Sequence, residues 1–123
     1  MRLIVFIHQD SSTNGQALKQ TIDQNFKRVE IQFFHTFNSL KSRLKQIHDH
    51  HRDIFILLAD SKRRLTKLMS LVDLMEDKRI VLILPDDSKE VTSMAHQFFP
   101  RYFTCVNKVY ADLCAVITKM SNQ

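Results

Sequence analysis

Glycine is almost absent from this chain of 123 residues, since Gly15 is the only one. A dinucleotide-binding fingerprint needs several glycines so that the backbone can approach a pyrophosphate, and a P-loop needs two followed by Lys and Ser or Thr. A nucleophile elbow of the Gly-x-Ser-x-Gly type is missing as well. The sequence therefore argues against a nucleotide-binding protein and against a serine hydrolase.

Long hydrophobic runs are also missing, because no apolar run approaches the roughly 18 residues of a membrane-spanning helix. The N-terminal segment Met1–Ile7 has a charge and a short apolar run, as a signal peptide would. However, His8, Gln9 and Asp10 follow it instead of a small-residue cleavage site. We therefore interpret this segment as a first strand and expect no membrane partner.

Cysteine is scarce, with Cys105 and Cys114 the only two. Both lie in segments with an apolar pattern, and no local motif would activate either thiol, which argues against cysteine catalysis and against a disulfide bridge. We expect two buried, reduced thiols and, as the default that follows from them, a cytoplasmic location.

The net charge is +5, and most of the basic residues are spread along the chain. One local cluster lies at the start of the third predicted helix, where its positive charge opposes the helix dipole; its members are Lys62, Arg63, Arg64 and Lys67. This arrangement would suit an acidic partner or phosphate, although a solvated helix face is the interpretation that we favour. No recognition helix or aromatic platform accompanies it, so nucleic acid is not expected as a partner.

Five short apolar runs alternate with five segments of helical periodicity, which predicts a parallel sheet covered by helices on both faces. The first, third and fourth runs are apolar on both sides and suit the sheet centre, whereas the mixed second and fifth suit its edges. Right-handed crossovers then favour the order 2-1-3-4-5, so we expect a single α/β domain over residues 1–123, a three-layer, doubly wound, flavodoxin-like sandwich. The runs are Leu3–Ile7, Val29–Phe34, Ile54–Ala59, Ile80–Leu84 and Tyr102–Val106.

A histidine-rich stretch, His48–His51, ends the second predicted helix. Imidazoles bind zinc, but ligand pairs on a helix are spaced four residues apart rather than side by side. Histidine is favoured near the negative end of a helix, so we expect exposed, pH-sensitive side chains and no metal site.

The segment Phe103–Lys108 places a lysine directly after the fifth run. With the chain length, the five strand–helix units and the inferred strand order, the whole chain resembles the CheY-like receiver domain of bacterial response regulators. The resemblance implies a signalling domain in which Lys108 contacts a phosphoryl group.

Other positions depart from the receiver pattern. Receivers carry an acidic pair after the first strand that holds Mg²⁺, whereas this chain offers Asp10 alone. Leu58 stands at the phosphoacceptor position, and leucine cannot accept phosphate. Pro85 replaces the hydroxyl residue that ends the fourth strand, and Cys105 replaces the switch aromatic.

These departures point to a degenerate receiver, or pseudo-receiver, which is a non-catalytic signalling or protein-interaction domain. By resemblance, a protein partner or a second copy would bind the face made by the fourth helix, the fifth strand and the fifth helix. Aromatic residues beside arginine are enriched at interfaces, and adjacent rings cannot all face inward. The candidates on this face are Phe98, Phe99, Arg101 and Tyr102; packing of the rings beneath the helices is the competing interpretation.

One alternative keeps the phosphorylation chemistry. Asp60 lies two residues after Leu58 and would accept phosphate, with Asp10 and Lys108 completing the pocket and Mg²⁺ as the cofactor. The competing interpretation is that Asp60 or Ser61 caps the third helix.

A second alternative is a small enzyme or ligand-binding domain. Ligands of such folds bind at the carboxyl ends of the strands, where Asp10, Asp60, Asp86 and Lys108 are expected. Helix capping and a solvated loop explain the same acidic residues without any ligand.

Overall fold

The computed structural model describes residues 1–46 and 53–121. Five parallel strands form one sheet in the order β2-β1-β3-β4-β5, which confirms the expected flavodoxin-like topology. The strands are β1 Arg2–Phe6, β2 Glu30–Phe34, β3 Asp53–Leu58, β4 Arg79–Leu84 and β5 Tyr102–Cys105.

The sheet lies between two helical layers. The helices are α1 Thr13–Asn25, α2 Phe37–Lys45, α3 Lys62–Met69, α4 Lys89–His96 and α5 Ala111–Ser121. Helices α1 and α5 pack on one face, and α2, α3 and α4 pack on the other. No helix in the described ranges is both long enough and apolar enough to cross a bilayer.

The third helix is shorter than its periodicity indicates. The apolar spacing of Leu65, Leu68, Met69, Val72 and Met75 predicts one helix with a single buried stripe. Instead, α3 ends at Met69 and a separate 3₁₀ turn covers Val72–Met75. The Ser70 hydroxyl donates to the Lys67 carbonyl at 2.6 Å, which is a local bond of the kind that competes with helix continuation. The apolar spacing continues across this break, so the sequence pattern does not show where the helix ends.

Burial explains the strand order. Every residue of β3 is buried, as are almost all of β1 and β4, whereas β2 and β5 are mostly half-exposed. A strand covered by helices on both sides must be apolar on both sides, and an edge strand need not be. The expected central and edge strands are therefore confirmed.

Gly15 lies in the first turn of α1, against the segment that follows β1. A Cβ atom at this position would stand 2.6 Å from Cγ2 of Ile7, which is itself buried. Its φ angle is not positive. The single glycine thus allows α1 to pack closely on the sheet and does not form a phosphate-binding loop.

Three helices begin with a hydroxyl cap. The side chains of Thr36, Ser61 and Ser88 each accept a hydrogen bond from the backbone N–H three residues later, at 3.1, 3.1 and 3.3 Å. Ser61, and not Asp60, is therefore the cap of α3. This leaves the Asp60 carboxylate to another partner.

Candidate functional site

The strand topology gathers the sequence-predicted site residues at one end of the sheet. All strands are parallel, so the loops that follow them meet at what we call the carboxyl edge. Asp10 follows β1, Asp60 follows β3, Asp86 follows β4 and Lys108 follows β5. Their surroundings nevertheless differ.

The end of β3 is apolar. Leu58 is 0% exposed, and its β4 neighbour in the sheet is Ile83. The backbone N–H of Ala59 still donates to the Ile83 carbonyl at 2.8 Å, which extends the ladder by one bond. Asp60 comes after this last bond, so the strand does not run far enough to carry Asp60 at its tip.

The Asp60 carboxylate is engaged by α3. Its Oδ1 accepts a hydrogen bond from Arg64 Nη1 at 2.5 Å, and the two side chains are only 10% and 19% exposed. The residues are four apart, which is the spacing that brings side chains together on a helical turn. A shielded guanidinium therefore compensates the charge of this carboxylate.

Asp10 is exposed beside an ordered histidine. The centre of the His8 ring lies 5.2 Å from that of the Phe37 ring, with the two rings tilted by 43°. The His8 Nδ1 accepts a hydrogen bond from the Asp10 backbone N–H at 3.1 Å. The Asp10 side chain is 73% exposed, with Oδ2 3.7 Å from the same nitrogen. Asp10 is therefore held mainly through its backbone, and its carboxylate faces solvent.

A groove of about 720 Å³ runs from this loop along α3. We call it the basic groove, because its lining includes His8, Phe37, Arg63, Arg64 and Lys67. Asp10 also lines it, so the structure brings Asp10 together with the basic residues of α3.

Lys108 lies in different surroundings. It is exposed, its backbone N–H donates to the Cys105 carbonyl at 3.1 Å, and it borders two shallow clefts beside β5 and α5. The basic groove does not include it. Lys108, Asp10 and Asp60 thus share one edge of the sheet, but each has its own neighbours.

Asp86 orders the start of α4. Its Oδ1 accepts the Ser88 backbone N–H at 2.9 Å, and hydrogen bonds from Ser88 lower the pKa of the Asp86 carboxyl. This is the local bonding of a helix start, which was the competing interpretation of this acidic loop.

The donor set at the carboxyl edge does not fit Mg²⁺. Hard cations need several converging oxygen ligands, whereas Asp10 stands exposed beside a histidine and Asp60 faces an arginine. Across residues 1–46 and 53–121, no group of three or more His, Cys, Asp or Glu side chains could hold a metal ion. The cluster His48–His51 lies outside the described residues.

Solved structures of other proteins share this architecture. A response regulator protein from Burkholderia pseudomallei, with a phosphorylated aspartic acid, a calcium ion and citrate, has a TM-score of 0.63 and 12% identity, over 98% of this chain and 69% of that one. A CheY-like protein (tadZ) from Pseudomonas aeruginosa PAO1 has a TM-score of 0.67 and 13% identity, over 100% and 95%. The chain has the CheY-like receiver fold. No protein-family model and no curated protein matches the sequence.

Both cysteines of this receiver fold are free. Cys105 is buried and Cys114 is half-buried, so the expected burial is complete only for the first. Burial raises the pKa of both thiols, which keeps them protonated and poorly nucleophilic.

The expected interface face needs one correction. Phe98 is 3% exposed and belongs to the core under α4, so its ring offers almost no surface to a partner. Phe99 is 86% exposed and Arg101 is exposed, while Tyr102 packs partly against the α1–α5 layer. The chain turns at Phe99 with φ 48°, which separates the two adjacent rings.

Sequence reasoning missed a second groove at the opposite, amino edge of the sheet. We call this cavity of about 490 Å³ the acidic groove, because Asp73, Glu76 and Asp77 line it together with Phe98 and Phe99. The close spacing of three acidic residues is visible in the sequence. Its proximity to Phe99 is not, because more than twenty residues separate the two segments.

A buried ion pair at the amino edge was also missed. Arg43 Nη2 donates to Asp53 Oδ2 at 3.0 Å, and Arg43 Nε donates to Gln32 Oε1 at 3.2 Å. The Arg43 and Asp53 side chains are 3% and 7% exposed. Arg43 follows Leu40 at helical spacing on the inner face of α2, which was the available signal.

Proposed function

We propose that this chain is a pseudo-receiver, a non-catalytic receiver-like domain that signals through protein contacts rather than through an aspartyl phosphate. The observation that carries the proposal is the end of β3, where Leu58 is fully buried and the nearest following carboxylate, Asp60, is bound to Arg64.

Phosphorylation of Asp60 would require its carboxylate to leave Arg64 and turn outward as a nucleophile. Phosphoryl transfer also depends on positioned cations that neutralise the developing charge. The carboxyl edge supplies one exposed carboxylate, Asp10, and a lysine, Lys108, that borders other clefts. These contacts support an interaction domain over a phosphoacceptor.

The surface available for such contacts includes Phe99 and Arg101, at the end of the α4–β5–α5 face. An exposed aromatic ring beside an arginine is the composition found at interface hot spots. We propose that a protein partner or a second copy binds there.

A phosphodonor experiment tests the proposal. The protein is incubated with Mg²⁺ and acetyl phosphate beside a known active receiver, and the intact mass of each is measured. We expect a phosphoryl mass gain for the active receiver alone. A gain in this chain that disappears in Asp60→Asn would overturn the proposal and establish Asp60 as a phosphoacceptor.

A further inference from the structure

The basic groove and the acidic groove lie in the same helical layer but at opposite ends of it. The basic groove starts at the carboxyl edge and follows α3, whereas the acidic groove lies where the 3₁₀ turn meets the end of α4, at the amino edge. One molecule therefore presents surfaces of opposite charge at its two ends.

The charge of the basic groove is available to a partner. Arg63 and Lys67 are exposed, and neither takes part in an ion pair with another residue of the described ranges. Arg64 and Lys62 are occupied, by Asp60 and Glu90. Within the described part of the chain, Arg63 and Lys67 are thus the unpaired cations of this groove, with the half-exposed Phe37 ring beside them.

The acidic groove has the complementary composition. Asp73, Glu76 and Asp77 are exposed around a floor that includes the buried Met75. Among the described residues that line this groove, Lys78 is the basic one. The Lys78 ammonium already donates to the Leu74 carbonyl at 2.9 Å. In a chain of net charge +5, this is a local concentration of negative charge.

Backbone geometry marks the same groove. Asp77 has φ 66° and Phe99 has φ 48°, and they are the two non-glycine residues with positive φ in the described chain. Both line the acidic groove. Left-handed backbone is unfavourable for a bulky residue, and here it turns the Phe99 ring out to 86% exposure.

We infer that this protein associates head to tail, with the acidic groove and Phe99 of one copy docked in the basic groove of the next. The carboxylates would meet Arg63 and Lys67, and the Phe99 ring would cover Phe37. Because the two surfaces differ, the contact is heterologous, and an open assembly keeps one groove of each kind free at its ends. The inference rests on the proposed role as an interaction domain and supplies its partner.

Two charge-reversed variants test the geometry. One carries Arg63→Glu with Lys67→Glu, the other carries Asp73→Lys with Glu76→Lys, and sedimentation velocity measures size without any phosphodonor. The wild type is expected to grow with concentration and to shrink with added salt. Each variant alone should remain monomeric, because one of its two grooves is broken.

Mixing the two variants is the decisive step. Each variant retains one intact groove, and the two retained grooves are complementary to each other. The two charge-reversed grooves are complementary as well, so an equimolar mixture should regain association, with the two variants alternating along the assembly. A mixture that stays monomeric, or a variant that still self-associates alone, would overturn the inference. A wild type that stays monomeric up to its solubility limit would overturn it too, and would leave the phosphodonor result unaffected.

A glycine substitution separates association from folding. Phe99→Gly removes the ring and places at φ 48° the residue that adopts this conformation most readily, so the unfolding midpoint should hold or rise. We expect it to weaken association about tenfold or more. The matched control is Val109→Ser, since Val109 is 84% exposed and outside both grooves. Equal effects of the two substitutions would contradict a specific contact.

Discussion

The two edges of the sheet use their charged residues differently. At the carboxyl edge, Asp60 is bound by a residue four positions along the chain, and Asp10 faces solvent. At the amino edge, Arg43 and Asp53 are almost fully buried and join α2 to β3. Folds of this class bind ligands at the carboxyl edge. Here the ion pair Lys62–Glu90 of that edge is exposed to solvent. The ion pair of Arg43 and Asp53 at the opposite edge is instead almost fully buried between a helix and a strand.

The largest expected effect comes from giving the carboxyl edge an acidic residue. Leu58→Asp removes a fully buried side chain and leaves a carboxylate among apolar neighbours. Truncating a buried leucine alone costs about 2–5 kcal/mol, and the buried charge adds to that. Burial raises the pKa of a carboxyl group, so the new carboxyl is more often neutral at acidic pH. The loss of unfolding free energy should therefore be smaller at acidic than at neutral pH.

Urea unfolding at both pH values measures this effect, with Leu58→Ala as the control for the lost volume. If Leu58→Asp were no less stable than Leu58→Ala at neutral pH, the end of β3 would tolerate a carboxylate. The contrast between the two edges would then be weaker than the structure indicates.

The ion pair at the amino edge should give the next largest effect. Asp53→Ala leaves the Arg43 guanidinium buried without its carboxylate, which typically costs about 3–5 kcal/mol. The double variant Arg43→Met with Asp53→Leu should recover most of this loss, because the uncompensated charge is gone.

Asp10→Ala is the matched comparison at the carboxyl edge. Its side chain is 73% exposed, so the free energy of unfolding should change by no more than about 0.5 kcal/mol. Similar losses for Asp53→Ala and Asp10→Ala would remove the distinction between the edges.

The smallest expected effect is a decline of stability at alkaline pH. Burial raises the pKa of Cys105, Cys114 and Tyr110 in the folded state. Above the ordinary thiol pKa of 9.0, the unfolded chain therefore binds fewer protons than the folded one, and stability falls as pH rises. Thermal unfolding across this range measures the slope, which should flatten in the variant Cys105→Ala with Cys114→Ala. An unchanged slope would exclude the thiols as its source.

Most of the fold could be predicted from the sequence, because the apolar pattern that identifies each strand lies within that strand. Two-sided apolar runs identified β1, β3 and β4, and the half-polar runs identified the edge strands. The third helix was misjudged because the apolar spacing continues past Ser70, where a hydroxyl-to-carbonyl bond ends the regular helix. Periodicity reports which face is buried and does not report where the hydrogen bonds stop.

The candidate site was only partly readable. Topology placed Asp10, Asp60 and Lys108 at one edge, but the sequence could not choose Ser61 over Asp60 as the cap, since both are good capping residues. Phe98 is buried and Phe99 is exposed because the backbone at Phe99 is left-handed, a conformation that a phenylalanine in the sequence does not predict. Both grooves require packed helices and have no local signature.

The shortage of glycine also acts on the unfolded chain. Glycine is the residue with the greatest backbone freedom, so a chain with Gly15 alone has less conformational entropy to lose when it folds. The same shortage places two left-handed turns on Asp77 and Phe99, which adopt them less readily than glycine would. The chain thus starts folding from a stiffer coil and ends with its backbone strain concentrated in the turns of one groove.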